Sequence, residues 1–598
     1  MDTSCNPGRI AAIAAIMATL PARTRRRLAD YSADYRMLLL AAMATVAGTG
    51  GALSAWALLK LIALATNLMW YARASFDHAV IGGRAALLVV LIPVIGGLIV
   101  GVMARFGSDK IRGHGIPEAI ETILFGDSKL SLKVALLKPL SSAVSIGSGG
   151  PFGAEGPIIM TGGAIGSLFA QLFRLTAAER KTLLVAGATA GMTGIFGTPF
   201  ASIMLAVELL LFEWKPRSFV PVVTAVLVAL AWRPLLVGSG PLFPFAAATP
   251  AGIEPVAIAA GLGLATGLLA AMLSFLLYRI EDGFHALPIH WMWWPAIGAI
   301  VVGIGGLVDV RVLGAGYDVI QALLDGDVLV RAVILLLVVK AIVWLVALGS
   351  GTSGGILAPL LILGGCTGFL VGQYLPGDPG FWAMIGMAGI MSGVMRAPMT
   401  GALFAAELTN HLSALPETIA AGSAAYAISV LIMKRSILTE KIARRGRHVS
   451  REYSIDALEF LQASQLMTAD PATVAGKMPL AEVVRFFAEE AQHRSYPVVD
   501  ERGRLLGLVS RTDALRWQVD DAREGTLAES LSDSATAFVY PDTPTAEVAD
   551  MMVESGVGRI PVVDPDSRRV VGIISRQDLL KVRIRHRNSE EVRTRGAG

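Results

Sequence analysis

A single carboxylate lies in the middle of a long apolar stretch in the first third of the chain. Residues 146–166 read IGSGGPFGAEGPIIMTGGAIG, and Glu155 is the only charged residue between Lys138 and Arg174. The segment before Glu155 is rich in glycine and a poor helix former, whereas the segment after it is a good one. The pattern therefore predicts that Glu155 lies at the N-terminus of a helix.

A helix N-terminus is a ready site for an anion, because it carries unpaired N–H groups and about half a positive charge. Two further segments have the same glycine-rich character before a helix-forming run: GHGIP at residues 113–117 and GGIL at residues 354–357. Pro117 suits the first turn of a helix. Three such N-termini directed at one point would bind a small anion weakly enough for it to leave again.

The carboxylate of Glu155 is itself an anion, so it can occupy the same site and block it. Protonation or displacement of Glu155 would then open the path, which would couple pH to anion flux. The other interpretation is a carboxylate that stabilises a helix dipole at the water interface. The glycine-rich segment before Glu155 and the internal repeat of the membrane region, which is described below, favour the gating role.

The composition indicates a membrane protein. Of 598 residues, 54 % are hydrophobic and only 16 % are charged, and the mean hydropathy is +0.61. Several apolar blocks reach the roughly 20 residues needed to cross a bilayer, and others are too short to cross upright. The sequence has two cysteines and no P-loop, which argues against a disulfide framework, a metal cluster and ATP hydrolysis.

Basic residues flank the apolar region at both ends, within residues 23–36 and 434–447. By the positive-inside rule, both termini are expected in the cytoplasm, with an even number of membrane crossings. The arginine cluster follows the first apolar segment instead of preceding it, which argues against a cleaved signal peptide. The net charge is only +4, and no nucleic-acid partner is expected.

The membrane region repeats itself. LGSGTSGGILAPLLILGGCTG at residues 348–368 matches residues 146–166 in several glycine, serine and proline positions. Pro199 and Pro398 each stand nine residues before a glutamate, Glu208 and Glu407. The region thus has two homologous halves, about residues 37–235 and 253–446. Transporters of this kind place their ion site where the halves meet, among broken helices.

After residue 450, charged residues alternate with short β-type runs, and this region also repeats itself. YPVVDERGRLLGLVSRTDAL at Tyr496–Leu515 matches IPVVDPDSRRVVGIISRQDLL at Ile560–Leu580. Each copy is typical of a β-α-β-β-α unit, and the pair resembles tandem CBS domains. We therefore expect a basic N-terminal segment (1–36), a membrane domain (37–446), a linker (447–464), two CBS domains (465–520 and 530–583) and a tail (584–598).

The motifs GHGIPE, GAEGP and GGILAP, in this order before the tandem CBS region, resemble those of the CLC family of chloride channels and chloride/proton exchangers. The resemblance covers about residues 36–581. It implies a polytopic all-α membrane domain of two inverted homologous halves, followed by a cytoplasmic α/β CBS-domain pair. It also implies a homodimer in the cell (inner) membrane, with one anion pathway in each subunit, no enzymatic activity and no required cofactor.

The resemblance also assigns roles to individual residues. Glu155 matches the gating glutamate of the family. The expected anion-binding positions are Gly113, His114, Gly115, Ile116, Pro117, Gly153, Ala154, Gly156, Ile356, Leu357 and Leu438.

Four of these positions depart from the usual family pattern. His114 replaces a serine, and it either donates to the anion from a ring nitrogen or points at the cytoplasmic vestibule while the loop backbone binds. Ala154 replaces an arginine, which removes a positive charge near the outer mouth. Leu357 replaces a phenylalanine whose backbone N–H is the ligand, so little is lost. Leu438 replaces the tyrosine that closes the inner side, so a hydroxyl ligand is missing there.

A further departure concerns proton coupling. Leu209 stands where proton-coupled members have a second glutamate, which argues against the familiar proton route without excluding another. Glu208 precedes it, close in sequence to the charged residues Glu213, Lys215 and Arg217, and is expected to be structural.

The Ser-Arg-x-Asp sequence in each CBS repeat, Ser510 with Asp513 and Ser575 with Asp578, admits two interpretations. A hydroxyl at a helix start suits a phosphate and the acid suits the ribose hydroxyls, which predicts a site for an adenine nucleotide. Helix caps explain the same residues without a ligand.

The expected function is transport of chloride or a similar small anion across a lipid bilayer, through a glutamate-gated pathway that is channel-like or weakly proton-coupled. Nucleotide regulation at the CBS pair is a further hypothesis. The alternatives are a chloride/proton exchanger with a non-standard proton path and a CBS-regulated cation transporter. The last of these would need several carboxylates in the membrane pathway, and only Glu155 lies deep in an apolar run.

Overall fold

A computed structural model describes residues 35–82, 84–246, 250, 252–447, 461–519, 524–531 and 536–581. The chain divides into two units, Met1–Arg451 and Glu452–Gly598. The expected N-terminal segment and tail and most of the linker lie outside the described residues, so these three predictions stay untested.

The first unit is helical. Its α-helices are α1 (Arg36–Tyr71), α2 (Ala86–Phe106), α3 (Ile116–Phe125), α4 (Leu132–Gly147), α5 (Glu155–Gln171), α6 (Ala177–Phe196), α7 (Pro199–Leu205), α8 (Pro216–Leu236), α9 (Ile253–His285), α10 (Trp294–Val308), α11 (Tyr317–Leu324), α12 (Val330–Gly349), α13 (Leu357–Gly372), α14 (Pro379–Met395), α15 (Pro398–Leu408), α16 (Leu415–Ile432) and α17 (Ile437–Arg444). A π-helical turn, Ala206–Leu211, continues α7.

Seven helical segments among the described residues are long and apolar enough to cross a membrane. They are Arg36–Tyr71, Ala86–Phe106, Pro216–Leu236, Ile253–His285, Trp291–Val308, Val330–Gly349 and Leu412–Arg444. Shorter apolar helices, such as α13 and α14, accompany them. A helix satisfies its backbone polar groups internally, which is what a lipid environment requires. The mixture of long and short apolar helices agrees with the sequence, and the even number of crossings stays a prediction.

The order of the helices repeats, with α1–α8 corresponding to α9–α16. In each half the long first helix packs against the sixth and the eighth helices of that half. The helices α5 and α6 approach so closely that a Cβ atom on Gly162 would lie 2.3 Å from the carbonyl oxygen of Gly187. The matching helices α13 and α14 show the same approach, at 2.5 Å from Gly364 to the oxygen of Gly386. The predicted organisation in two halves is confirmed.

Two glutamates join the halves reciprocally. The carboxylate of Glu208, at the π-helical turn of the first half, accepts hydrogen bonds from the first turn of α15, including one from the Thr400 N–H at 2.8 Å. Glu407, on α15, accepts hydrogen bonds from the first turn of α7, including one from the Ala201 N–H at 2.7 Å. Each carboxylate thus caps the N-terminus of a helix in the other half, where a negative charge is favourable.

The expectation that Glu208 is structural agrees with this contact, but its sequence neighbours are not its partners. Glu213 instead pairs with Lys181 at 4.0 Å and with Lys215 at 3.8 Å. The partners of Glu208, Met399 and Thr400, are distant from it in the sequence and lie in the other half.

The second unit contains two three-stranded sheets. Its elements are α18 (Ala463–Leu466), β1 (Thr468–Ala469), β2 (Val474–Ala475), α19 (Leu480–Glu489), β3 (Ser495–Val499), β4 (Leu505–Ser510), α20 (Arg511–Val519), α21 (Leu527–Ser530), α22 (Thr545–Glu554), β5 (Arg559–Val563) and β6 (Val570–Ser575).

The two sheets show the predicted repeat. In one sheet β3 pairs with β4 antiparallel and with β2 parallel; in the other, β5 pairs with β6 antiparallel and β1 joins β6. The register is the same in both hairpins, with Tyr496 opposite Val509 and Ile560 opposite Ile574. The short strand β1 precedes the first repeat in sequence but pairs with the second. The two repeats therefore share an element and fold as a pair.

We expect Glu208→Ala and Glu407→Ala to lower the stability of the detergent-solubilised protein by similar amounts, about 1–2 kcal/mol each in the free energy of unfolding. Each change leaves two N–H groups of the facing helix without their acceptor. Thermal unfolding followed by tryptophan fluorescence measures the effect. Glu254→Ala, which removes an exposed acid in the first turn of α9, is the matched control. An equal loss in the control, or a loss confined to one of the two variants, would contradict reciprocal capping.

Candidate anion-binding site

Backbone hydrogen bonds bring together the three loops that precede α3, α5 and α13. The N–H of Gly113 donates to the carbonyl oxygen of Thr352 at 3.2 Å. Gly153 and Gly355 exchange two hydrogen bonds, at 3.2 and 2.9 Å. The three glycine-rich segments singled out in the sequence therefore meet at one place, and each leads directly into a helix N-terminus.

Glu155 is the first residue of α5, as predicted, and it is fully buried. Its carboxylate lies against two of the loop glycines. A Cβ atom on Gly153 would lie 1.9 Å from Oε2 of Glu155, and one on Gly355 would lie 2.7 Å from the same oxygen. Because glycine has no Cβ, these two positions leave room for the carboxylate where the loops meet.

Few groups stabilise the Glu155 carboxylate in this position. Oε1 lies 3.5 Å from the hydroxyl oxygen of Tyr317, a long hydrogen bond. The backbone N–H of Glu155 itself and that of Ala358, in the first turn of α13, also face the carboxylate. Oε2 has no hydrogen-bond partner among the described residues. A buried carboxylate with so few partners is costly when ionised, so it is suited to exchange places with another anion or to take up a proton.

His114 lies in the loop before α3, between Gly113 and Gly115. Both glycines adopt left-handed backbone conformations, with φ of +78° and +88°, which favour glycine. The histidine side chain is only 4 % exposed, and its Nδ1 has no hydrogen-bond partner among the described residues. The ring is therefore enclosed by the protein. Both interpretations, a donor to the anion and a ring directed at the cytoplasmic vestibule while the loop backbone binds, stay predictions.

The remaining loop residues lie where the sequence predicts. Ile116 and Pro117 begin α3, and Ile356 and Leu357 stand at the start of α13; all four are buried. The backbone N–H groups of Ile116, Ile356 and Leu357 belong to the unpaired set at a helix start, whereas Pro117 has no N–H to donate.

Ala154 and Gly156 flank the carboxylate. The N–H of Ala154 lies 3.5 Å from the hydroxyl oxygen of Tyr317. A Cβ atom on Gly156 would lie 1.9 Å from the carbonyl oxygen of His114, so only glycine lets the start of α5 approach the loop before α3 so closely.

The two leucines that replace polar residues of the family pattern are both fully buried. Leu438 lies in the first turn of α17, which packs against α3. Tyr278 donates its hydroxyl to the carbonyl of the preceding residue, Ile437, at 2.5 Å. Leu209 lies in the π-helical turn, which also contacts α3.

Lys138, on α4, holds two of the loops together, a role that the sequence did not reveal. Its buried ammonium donates to the carbonyls of Ile111 at 2.8 Å and Gly113 at 2.6 Å, and to the hydroxyl of Ser353 at 3.1 Å. The signal in the sequence was a lysine inside an otherwise apolar helix, which requires buried acceptors.

An ion-pair network joins α3 to α17, and the sequence did not reveal it either. Glu118, in the first turn of α3, pairs with Lys441 at 2.9 Å and with Arg445 at 3.2 Å. Glu121 pairs with Arg447 at 3.1 Å and also with Arg445. These ion pairs therefore hold α17, which contains Leu438 in its first turn, against α3, which follows the loop at residues 113–115.

In the CBS unit the Ser-Arg-x-Asp residues cap helices. The hydroxyl of Ser510 donates to Asp513 at 2.6 Å, and that of Ser575 donates to Asp578 at 2.6 Å. Burial alone would raise the pKa of Asp578, but hydrogen bonds from Ser575 and Lys581 hold it below its usual value. Both carboxylates already have local partners, so the cap interpretation accounts for the geometry. Nucleotide binding stays a prediction.

Comparison with known families shows which family the chain belongs to. Residues 96–430 match the family described as voltage gated chloride channel, and residues 463–520 and 529–585 match the CBS domain. The chain belongs to the CLC family. The resemblance inferred from GHGIPE, GAEGP and GGILAP is thus confirmed, together with the tandem CBS domains.

Individual relatives carry both channel and exchanger names. A putative chloride channel protein, ClcB-like, of Ralstonia nicotianae is 28 % identical over 381 residues, which cover 61 % of this chain and 89 % of that protein. The H(+)/Cl(-) exchange transporter ClcA of Salmonella paratyphi A is 28 % identical over 396 residues, covering 63 % and 82 %. A slow cyanobacterial Cl⁻/H⁺ antiporter of known structure matches with a TM-score of 0.60 at 22 % identity, covering 69 % of this chain and 99 % of that chain. The CLC fold class is confirmed.

We expect Lys138→Met to weaken chloride binding about tenfold and to lower thermal stability, because the carbonyls of Ile111 and Gly113 lose their buried donor. Isothermal titration of the purified protein with chloride measures the affinity. Lys60→Met is the matched control, since the Lys60 ammonium also donates to a backbone carbonyl, that of Phe76, but at an exposed position. An unchanged chloride affinity in Lys138→Met would show that the lysine does not hold the binding loops.

Proposed function

We propose that this CLC protein transports chloride or a similar small anion across the membrane, through a pathway that Glu155 gates. The observation that carries the proposal is the position of the Glu155 carboxylate, which is fully buried against Gly153 and Gly355 where the anion-binding loops meet. A negatively charged group at that point takes the place of the anion that the helix N-termini attract.

The gate follows from competition between two anions. The expected ligands are backbone N–H groups at the starts of α3, α5 and α13, with His114 as a side-chain donor. While the carboxylate lies between the loops, it excludes the anion. Protonation, or displacement by an incoming anion, frees the site. Such binding involves no covalent step, and the function proposed is transport without enzymatic activity.

We propose that the pathway is channel-like or only weakly coupled to protons. Leu209 is fully buried at the place where a carboxylate would relay protons. A leucine side chain has no ionisable group and cannot relay a proton. The second candidate is a chloride/proton exchanger with a non-standard proton path. Burial of His114 near Glu118 and Lys441 favours it, because an imidazole can carry a proton. The exchange transporter among the relatives supports it too.

The cation-transporter alternative has less support. The membrane residues that the structure describes include no group of three or more His, Cys, Asp or Glu side chains placed to hold a metal ion. Glu208 and Glu407 are engaged as helix caps.

The basic flanks at 23–36 and 434–447 support a multi-pass protein of the cell (inner) membrane with both termini and the CBS domains in the cytoplasm. Family membership supports a homodimer in the bilayer. The CBS pair supports regulation by an adenine nucleotide, with Ser510, Asp513, Ser575 and Asp578 as the contacts.

We expect Glu155→Gln to transport chloride at neutral pH as fast as the unaltered protein does at acid pH, and to lose most of its pH dependence. Glutamine has the shape of the protonated acid but cannot ionise. Chloride efflux from proteoliposomes measures this, with the external pH recorded in the same sample. Glu254→Gln, an exposed acid, is the control. A pH dependence like that of the unaltered protein in Glu155→Gln would contradict the gating role.

The same recording separates the two mechanisms for the unaltered protein. Fast chloride efflux at constant external pH supports a channel or uncoupled carrier. Proton movement driven uphill by a chloride gradient would replace that proposal with the exchanger, and the proton path would have to avoid Leu209.

For the CBS pair, we expect the full-length protein to bind radiolabelled ATP, and Asp513→Asn with Asp578→Asn to weaken binding at least tenfold, because each acid would hold ribose hydroxyls. Equilibrium binding to the purified protein measures it. Asp550→Asn, an exposed acid on α22, is the control. Absence of binding by the unaltered protein would leave the helix-cap interpretation alone.

A further inference from the structure

Tyr317 lies beside Glu155, with its hydroxyl oxygen 3.5 Å from the carboxylate, and no sequence motif considered above includes it. We propose that its hydroxyl is a ligand of the anion pathway: it donates to Glu155 while the carboxylate fills the site, and to the transported anion after the carboxylate has left. The inference rests on the proposed function and adds a side-chain ligand to a site otherwise built mainly from backbone.

The position of the hydroxyl supports both roles. Its oxygen lies 3.5 Å from Oε1 of Glu155 and 3.5 Å from the backbone nitrogen of Ala154. A phenol has one proton to donate and can also accept. It can therefore accept from the Ala154 N–H while donating its proton to the carboxylate. When the carboxylate moves away, the same proton is left directed at the site that an anion would enter.

Aromatic side chains hold the Tyr317 ring in place, and its hydroxyl faces the Glu155 carboxylate. Phe196 and Phe243 pack against the Tyr317 ring at centroid distances of 6.5 and 5.9 Å. Tyr278, by contrast, donates its hydroxyl to a backbone carbonyl, that of Ile437. The Tyr317 hydroxyl therefore differs from a hydroxyl that only satisfies the backbone, because the acceptor within its reach is the gating acid.

The internal repeat explains why Tyr317 reaches this place. The sequence Gly314-Ala315-Gly316-Tyr317 occupies the position in the second half that residues 113–116 occupy in the first. Gly314 and Gly316 have left-handed φ values of +66° and +73°, like the glycines at 113 and 115. Tyr317 begins α11 as Ile116 begins α3.

The two loops are also held in the same way. Lys340, on α12, donates to the carbonyls of Val312 at 2.9 Å and Gly314 at 3.1 Å, as Lys138 does to Ile111 and Gly113. The N–H of Gly314 donates to the carbonyl of Gly149 at 3.0 Å, just as that of Gly113 donates to Thr352. The second half thus presents a loop of the same construction to the site, with a hydroxyl where the first half has an isoleucine.

The decisive experiment compares chloride affinity in the absence of the competing carboxylate. Isothermal titration with sodium chloride is carried out on purified Glu155→Ala and on Glu155→Ala/Tyr317→Phe. Phenylalanine keeps the ring that packs against Phe196 and Phe243 and removes only the hydroxyl. We expect chloride to bind about three- to tenfold more weakly to the double variant, the loss typical of one hydrogen bond.

Tyr71→Phe in the same Glu155→Ala background is the matched control. The Tyr71 hydroxyl donates to the carbonyl of Val80 near the end of α1, away from the loops of the site, so the affinity should not change. Equal chloride affinity with and without the Tyr317 hydroxyl would overturn the inference.

The outcome also distinguishes this inference from the proposed function. If Glu155→Ala binds chloride no more tightly than the unaltered protein at neutral pH, the carboxylate does not compete with the anion and the gating proposal itself fails. If Glu155→Ala binds more tightly but the hydroxyl has no effect, only the Tyr317 inference fails.

Should the double variant not elute as a monodisperse protein, Tyr317→Phe alone is tested by efflux at acid pH. There the half-saturating chloride concentration should rise by the same factor, and an unchanged value would overturn the inference.

Discussion

The pair of hydrogen bonds between Gly153 and Gly355 determines the geometry of the site. It joins the loop before α5 to the loop before α13, one from each half, at 3.2 and 2.9 Å. A side chain at either glycine would occupy the space of the Glu155 carboxylate. The buried position of the Glu155 carboxylate and the meeting of the loops before α5 and α13 therefore depend on the same two residues. This constraint explains why the lone carboxylate of the sequence is surrounded by glycine.

Full positive charge is placed beside the site and not in it. The ammonium groups of Lys138 and Lys340 are both fully buried, and each is occupied by backbone carbonyls of a loop at the site. In our proposal, the anion therefore contacts backbone N–H groups and a hydroxyl, and no ammonium group. A buried unpaired ammonium in direct contact would hold an anion too tightly for rapid transport, whereas dipoles bind and release it. The two lysines thus stabilise the loops, because their ammonium groups donate hydrogen bonds to the loop carbonyls.

The sequence was sufficient for the features that depend on local chemistry. Glycine followed by an apolar run predicted the helix starts at Ile116, Glu155 and Leu357, and the matched motifs predicted the two halves. It was insufficient where partners are distant in the chain. Tyr317 lies far from Glu155 in sequence, and its Gly-x-Gly motif was the only available signal. Glu208 was grouped with its neighbours, although its carboxylate caps a helix of the other half.

The two halves share the residues that build the scaffold and differ in the residues at the centre of the site. Residues that build the scaffold are the same in both: a buried lysine on the helix after the loop, a Gly-x-Gly turn with left-handed φ, and a glutamate that caps a helix across the interface. Residues at the centre differ. Glu155 corresponds to Leu357, and Ile116 corresponds to Tyr317. Two identical halves would present two carboxylates or none, and like charges so close together would repel. Divergence at these positions leaves one carboxylate with one hydroxyl facing it. In our proposal, the gate and its side-chain ligand therefore arise where the two halves differ.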